Sequence, residues 1–207
     1  VIPGSEGPLP DVEAAAACAA EIGYPVLLKA DHGGGGRGMR KCMDEAELRE
    51  AFHSATMEAI ACFGSGSIYL ERYLSAGRHI EVQIVCDAFG NGIHVGEREC
   101  SIQRKHQKLI EESPSPVLSE AERNELGERA VQAALRVGYT SAGTIEFLRA
   151  DDGSLYFMEM NTRLQVEHPV SEMVSGLDIA QLQIQVASNH KLPLSQDQLK
   201  LSGHAIE

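Results

Sequence analysis

Residues 143–169 read GTIEFLRADDGSLYFMEMNTRLQVEHP, with an apolar strand pattern on each side of the pair Asp152-Gly153. An Asp-Gly pair between two such patterns is typical of a β-hairpin closed by a two-residue loop. In that hairpin Asp151 faces Ser154, and the two strands run antiparallel from there. The segment therefore predicts an antiparallel sheet rather than parallel strands joined by helices.

Two carboxylates face each other in this predicted hairpin. Counted back from the loop, Glu146 lies opposite Glu159, and Asn161 shares their face because side chains alternate along a strand. Both acids lie in apolar strands, where burial is expected. Facing carboxylates repel unless a cation lies between them, and an all-oxygen set suits Mg²⁺ bridged to phosphates better than zinc. A solvent-facing sheet with an accidental acidic pair is the alternative.

The composition is that of a globular protein of one or two domains. The 207 residues are 43% hydrophobic, enough for a sizeable core. The formal net charge of -12 opposes nucleic-acid binding, and no apolar stretch approaches the roughly 18 to 20 residues of a membrane span. Five cysteines without a CxxC pair indicate neither a disulfide framework nor a zinc site, and fit the cytoplasm or an organelle matrix.

A glycine-rich segment, KADHGGGGRGMRKC, occupies residues 29–42. Residues 26–29 before the glycines and residues 39–42 after them both read as short strands. Neither the dinucleotide-binding GxGxxG, which must open a helix, nor a GxxxxGK[ST] phosphate loop fits this context. We predict a flap whose backbone amides close over phosphates, with Lys29 adding a positive charge. A surface hairpin without function is the alternative.

Capping signals predict the helices, and alternation predicts further strands. Asp11 begins one helix in PDVEAAAACAAEIGYP. Two more helices begin at residue pairs spaced as capping boxes, Asp44 with Glu47 and Ser119 with Glu122. SIYLERYL reads as a strand, and the turn Asn91-Gly92 closes a second hairpin. The basic run QRKHQK, residues 103–108, is interpreted as a charged, solvated strand edge.

An ordered set of motifs now resembles the biotin carboxylase family of ATP-grasp enzymes over nearly the whole chain. The motifs are VLLKADHGGGGRGM, LERYL, RHIEVQ, ERECSIQRKHQK, SAGTIEF, FMEMNTRLQVEHPVSEM and GHAIE. The resemblance implies an α+β ATP-grasp fold, with a lid subdomain at residues 1–73 and a larger antiparallel-sheet subdomain at residues 74–207. The sequence begins without methionine, and the family's preceding domain and a later arginine are missing. We therefore expect a piece of a longer protein, incomplete in its larger subdomain.

The resemblance also implies a nucleotide site. Its residues are Lys29, Gly34, Gly35, Gly36 and His106 for the phosphates, Glu71, Leu74 and Leu148 for adenine, and His79 and Gln103 for ribose. The implied cofactors are ATP with Mg²⁺ or Mn²⁺, held by Glu146, Glu159 and Asn161. This metal set agrees with the one predicted from the hairpin.

In that family ATP phosphorylates bicarbonate, and the carboxyphosphate formed then carboxylates biotin on a carrier protein or domain. The residues implied in these steps are Glu167 as the base, Arg163 to position anions, Gln165 to bind bicarbonate and Lys108 to add positive charge. A carboxyltransferase component would use the product, and the full-length enzyme would be a homo-oligomer. This chain alone is expected to be inactive.

Two other functions stay open. A carbamoyl phosphate synthetase also activates bicarbonate, although RLQVEHP favours biotin over the RSSALAS typical of that enzyme at the equivalent place. A nucleotide-binding module without activity is the second alternative. Bicarbonate-dependent ATP hydrolysis, measured with and without free biotin, separates the three.

The glycine segment gives a first prediction. In the intact protein Gly35→Val should raise the KM for ATP, because a side chain blocks the approach of the backbone to phosphates. The melting temperature should change little, because an open flap buries few contacts. Unchanged ATP kinetics would contradict the flap.

Overall fold

A computed structural model of the chain describes residues 1–31, 39–74, 77–105 and 107–207. The chain divides into two compact units, Val1–Ala76 and Gly77–Glu207. The helices are α1 (Val12–Ile22), α2 (Glu45–Phe63), α3 (Glu120–Arg136), α4 (His168–Ser175) and α5 (Ile179–Ala187), with a short 3-10 helix at Gln196–Gln198. The strands are β1 (Val26–Ala30), β2 (Arg40–Cys42), β3 (Ile68–Arg72), β4 (Arg78–Cys86), β5 (Gly92–Arg104), β6 (Gln107–Ser113), β7 (Ser141–Arg149), β8 (Leu155–Asn161) and β9 (Ala205–Ile206). The predicted α+β class with antiparallel sheets is confirmed.

The first unit is a three-stranded antiparallel sheet in the order β2-β1-β3, with α1 and α2 packed against it. The predicted caps are confirmed: Asp11 Oδ1 accepts from the Ala14 amide at 2.8 Å, and Asp44 Oδ1 accepts from the Glu47 amide at 2.9 Å. Strand β1 pairs antiparallel with β2, so the glycine segment does join two paired strands. The glycines themselves, residues 33–38, lie outside the described residues.

The second unit is a six-stranded sheet in the order β8-β7-β4-β5-β6-β9, and each of its pairs is antiparallel. Alternation along β4 gives the sheet two different faces. Ile80 and Val82 pack with α3 in one apolar cluster, whereas Glu81 and Gln83 point to the opposite face. That opposite face packs against α5 through Val85 and is strongly polar toward α4. The candidate site lies on this polar face.

The β7-β8 hairpin differs from the prediction at its loop. The Ala150 amide donates to the Ser154 carbonyl at 2.8 Å, so the loop has three residues and Asp151 does not face Ser154. Gly153 supplies the left-handed conformation, with φ 86°, that ends such loops. The expected two-residue loop is therefore wrong.

A bulge restores the register farther along the same hairpin. Phe147 pairs with Phe157, but Glu146 pairs with Glu159, which leaves Met158 as the extra residue. The predicted facing of Glu146 and Glu159 is confirmed. Glu146 and Glu159 face each other because the one-residue bulge at Met158 compensates for the one-residue shift in register that the longer loop causes.

Other elements match the sequence patterns. The capping box of α3 is present, with Glu122 accepting from the Ser119 amide at 2.8 Å. The hairpin around Asn91-Gly92 forms between β4 and β5. All five cysteines are free thiols. Among the described residues, no helix has the length and apolar character needed to cross a membrane.

A helix-to-strand contact in the second unit yields a prediction about packing. A β-carbon added at Gly127, inside α3, would lie 2.4 Å from Cγ of the buried His94 ring. Gly127→Ala in the intact protein should therefore lower the free energy of unfolding by about 1–3 kcal/mol through overpacking. Helix propensity alone predicts a gain of about 1 kcal/mol.

The control is Asn124→Ala, at an exposed position of the same helix. It changes propensity without a clash, so urea unfolding should show little change or a small gain. A Gly127→Ala protein as stable as the Asn124→Ala protein would refute tight packing at His94.

Candidate active site

The ammonium group of Lys108 lies among three carboxylates of the second unit. Its Nζ is 3.1 Å from Glu146 Oε1 and also contacts Glu81 Oε2 and Glu167 Oε1. The acids come from β4, β7 and the start of α4, and all three are buried. Only 18% of the Lys108 side chain is exposed. The interpretation of residues 103–108 as a solvated edge is therefore wrong for Lys108, because its charge is needed among these acids.

These contacts shift the pKa values of the groups involved. Burial alone would raise the pKa of Glu146, but His79 and Lys108 outweigh burial and lower it to about 2. Burial likewise opposes ionisation of Glu167, yet its hydrogen bond with Lys108 lowers the pKa of that carboxyl. Burial would lower the pKa of Lys108, but Glu81 and Glu146 raise it well above its usual range. At neutral pH the Glu146 and Glu167 carboxylates are therefore ionised beside the charged Lys108 ammonium group.

The predicted metal ligands converge at the edge of this cluster. Asn161 Nδ2 lies 2.9 Å from Glu146 Oε1 and 3.5 Å from Glu159 Oε1. Glu146 is buried as expected, but Glu159 is exposed, so the expected burial of both acids is wrong. The reason is that β8 is an edge strand of the sheet. Two carboxylates and an amide, open on one side, fit a hard divalent cation that keeps further ligands from water or phosphate.

The segment between β8 and α4 carries Glu167 and one further member of the cluster, Gln165. Gln165 is buried and its Nε2 donates to Glu146 Oε1 at 3.0 Å. Glu167 is the N-cap residue of α4. Arg163, in contrast, is exposed and donates to the adjacent Leu164 carbonyl at 3.3 Å. The structure therefore brings Gln165 to Glu146 and Glu167 to Lys108, and leaves Arg163 exposed.

The residues expected near ribose and adenine adjoin the same carboxylates. His79 Nδ1 is 2.9 Å from Gln103 Nε2, and His79 Nε2 is 3.0 Å from Glu146 Oε2. Leu148 lies directly opposite His79 in the β4-β7 pairing. The histidine thus joins the expected nucleotide residues to the expected metal ligands.

In the first unit, Lys29 and Glu71 form an ion pair, with Lys29 Nζ 3.0 Å from Glu71 Oε2. Lys29 also lies over the Tyr69 ring, 5.2 Å from its centroid. Leu74 follows the end of β3 and is half-buried. The remaining expected nucleotide residues, Gly34, Gly35, Gly36 and His106, lie outside the described residues.

Sequence reasoning missed two residues of the polar face. Glu81 binds Lys108, and the fully buried Arg98 donates to Glu81 Oε1 at 2.5 Å. The signal was present, because RHIEVQ and ERECS place charged residues inside otherwise apolar strands. A buried charge needs a partner, but the sequence does not say which residue that partner is.

Comparison with known proteins gives the family. Residues 1–195 match the model for the ATP-binding domain of the carbamoyl-phosphate synthase L chain. The chain belongs to this family. Within it, the predicted resemblance to biotin carboxylases of the ATP-grasp fold is confirmed.

Two relatives that resemble the whole chain are a biotin carboxylase and a carboxylase subunit. Biotin carboxylase of Pseudomonas aeruginosa is 53% identical over all of this chain, which covers 46% of that enzyme. The 2-oxoglutarate carboxylase small subunit of Hydrogenobacter thermophilus is 52% identical over all of the chain, which covers 44% of it. The chain thus spans less than half the length of these relatives.

Two solved structures match the whole chain with a TM-score of 0.96. One is the biotin carboxylase domain dimer of the Hydrogenobacter enzyme, in complex with MgADP, ADP and bicarbonate, 51% identical. The other is Campylobacter jejuni biotin carboxylase in a complex with β-γ-ATP, 58% identical. The chain covers 46% of each of these two structures.

The acidic cluster generates a prediction about pH. Lys108→Met in the intact protein, without nucleotide or divalent metal, should lower the free energy of unfolding at pH 7 by on the order of 3 kcal/mol. The pKa of Glu146 is lowered from 4.5 to about 2 in the folded protein. Its carboxylate therefore stabilises the fold at pH values above 4.5, and this stabilisation is lost as the pH falls through about 2. The difference between wild type and variant should therefore shrink as the pH falls from 4.5 toward 2.

Urea unfolding at a series of pH values measures that difference. Lys200→Met, the same substitution at an exposed position, is the control and should show no such dependence. A difference for Lys108→Met that is constant with pH would contradict the charge balance described above.

Proposed function

We propose that this chain is part of a biotin carboxylase, which uses ATP and bicarbonate to carboxylate biotin through a carboxyphosphate intermediate. The observation that carries the proposal is the position of Lys108, whose ammonium group contacts both the expected metal ligand Glu146 and the expected base Glu167. Lys108 would then lie beside both the bicarbonate that accepts the phosphoryl group and the metal that binds the phosphates of ATP. The similarity to carboxylase components over the whole chain supports the same activity.

In the first proposed step, residues of the polar face position bicarbonate and the terminal phosphate of ATP. Glu146, Glu159 and Asn161 would hold Mg²⁺ or Mn²⁺, which neutralises phosphate charge when bound. Glu167 is ionised at neutral pH and can accept the proton of bicarbonate as a bicarbonate oxygen attacks the terminal phosphorus of ATP, whose bond to the leaving ADP breaks. Lys108 and Gln165 contribute a positive charge and an amide beside that carboxylate. Arg163, exposed on the same segment, would turn toward the anion when it binds.

The nucleotide residues are assigned from the resemblance to biotin carboxylases. Lys29 and residues 34–36 are assigned to the phosphates in this proposal, with His106. Glu71, Leu74 and Leu148 are assigned to adenine, and His79 with Gln103 to ribose. Residues 1–73 would act as the lid and residues 74–207 as the larger subdomain. The ion pair of Lys29 with Glu71 supports the assignment of Lys29 to the phosphates, because a nucleotide phosphate can replace the carboxylate as the partner of Lys29.

The partners belong to the same proposal. Biotin would arrive on a carrier protein or domain, and a carboxyltransferase component would take its carboxyl group onward. A homo-oligomer is supported by the dimer of the Hydrogenobacter domain. Carbamoyl-phosphate synthase, the enzyme after which the matching family model is described, is the competing activity. Stimulation of bicarbonate-dependent ATP hydrolysis by free biotin in the intact enzyme favours biotin carboxylase activity. Phosphorylation of carbamate favours carbamoyl-phosphate synthase activity.

The metal assignment predicts that Glu159→Gln in the intact enzyme abolishes ATP turnover. The fold should persist, because the substitution removes charge repulsion from an exposed edge strand. Steady-state ATP hydrolysis and the melting temperature test the two statements. Unchanged turnover would remove Glu159 from the metal site.

The base assignment predicts a different pattern. Glu167→Gln keeps the shape of the side chain but cannot accept a proton, so most bicarbonate-dependent hydrolysis should disappear while nucleotide affinity stays near wild type. Nucleotide titration and hydrolysis assays with and without bicarbonate measure both. Glu120→Gln, at an exposed position of α3, is the control. Lost nucleotide affinity would instead assign Glu167 to the ATP site.

A further inference from the structure

Arg98 is a fully buried charged side chain of the polar face, with none of its surface exposed. It lies on β5, and its guanidinium group makes five hydrogen bonds. The acceptors are Glu81 Oε1 at 2.5 Å, Gln83 Oε1 at 2.7 Å, Ser171 Oγ at 3.0 Å, Gln165 Oε1 at 3.0 Å and Thr144 Oγ1 at 3.1 Å. A guanidinium group has five N–H donors, so each donor has an acceptor. Nothing in the proposed mechanism uses this residue directly.

One arm of this network acts on Glu81. Arg98 Nε binds Glu81 Oε1, which leaves Oε2 as the oxygen that receives Lys108. Glu81 is fully buried, so without Arg98 its charge would be balanced chiefly by Lys108. Arg98 therefore shares the neutralisation of Glu81, and Lys108 can also reach Glu146 and Glu167.

The other arm acts on Gln165. Because Arg98 Nη2 is a donor, it selects the carbonyl oxygen of the Gln165 amide and turns its NH₂ group away. That NH₂ group donates to Glu146 Oε1 at 3.0 Å. With the amide reversed, two donors would face each other at Arg98 and two acceptors at Glu146. Arg98 thus fixes which end of Gln165 points into the candidate site.

We propose that Arg98 is a positioning residue for bicarbonate phosphorylation, which acts by orienting Gln165 and by sharing the charge of Glu81 with Lys108. This rests on the proposed function. This role requires the planar guanidinium group with its five donors. A lysine cannot replace it, because one ammonium group cannot reach acceptors on β4, β7 and α4 at once. The bicarbonate side of the site, rather than the nucleotide side, should depend on Arg98.

The test is Arg98→Lys in the intact enzyme, which keeps the positive charge. We expect the KM for bicarbonate to rise at least fivefold and kcat to fall at least tenfold, with the KM for ATP within twofold of wild type. A role in stability alone would lower the amount of folded enzyme without this split between the two substrates.

Arg123→Lys is the matched control. Arg123 donates from Nε to both oxygens of the buried Glu97, at 2.7 and 2.8 Å, and to the Leu118 carbonyl, so it is a second largely buried arginine of the same unit. We expect it to lower the melting temperature with the KM for bicarbonate unchanged. Equal kinetic effects of the two substitutions, or bicarbonate kinetics of Arg98→Lys within twofold of wild type, would overturn the proposal.

A crystal structure of Arg98→Lys separates this inference from the proposed function. We expect the Gln165 amide to lose its 3.0 Å contact with Glu146. If the wild-type enzyme shows no bicarbonate dependence, the proposed function fails, but a displaced Gln165 still supports the positioning role and an unmoved one overturns it. Should Arg98→Lys not fold, the charge-balanced double variant Arg98→Met with Glu81→Gln serves for the same structural comparison.

Discussion

The contacts of Glu81 with Arg98 and Lys108 determine the organisation of the polar face of the second unit. A buried carboxylate is unfavourable unless cations and hydrogen bonds replace the water it loses. Here one oxygen receives Arg98 and the other receives Lys108. Because Lys108 is thereby drawn inward, it also meets Glu146 and Glu167, and together with His79 it lowers the pKa of Glu146. One buried acid thus organises two cations and two further acids.

This arrangement connects the two chemical requirements of the proposed reaction. A metal site needs ionised carboxylates at an open edge, and Glu159 on the edge strand β8 meets that need. The base must be a carboxylate that does not bind the metal. Glu167 meets this need because it lies at the start of α4, apart from the edge strand. The bulge at Met158 matters here, because without it Glu159 and Asn161 would point to the other face of the sheet.

Much of the fold was predictable from the sequence, because helix caps and strand patterns depend on residues that are close together in the chain. The caps at Asp11, Asp44 and Ser119 act within three or four residues, and the strand joined to β1 across the glycine segment was identified from its short pattern. The pairing of Glu146 with Glu159 was also predicted, although the loop and the bulge each departed from the simple hairpin. The motif-bearing residues Gln165 and Glu167 were found by resemblance to a family, rather than by physical necessity.

The sequence by itself determined which residues carry charge within apolar strands, where helices begin and which strands are neighbours along the chain. Only the tertiary structure decided which charges meet. Lys108 is separated by many residues from Glu81 and Glu146 in the sequence, and its pattern suggested a solvated edge, yet it lies among three acids. Arg98 lies within the motif ERECSIQRKHQK but was assigned no role from the sequence, because its role depends on acceptors from four separate segments of the chain. The physical reason is that burial and Coulomb interaction depend on distance in space, which alternation along a strand does not specify.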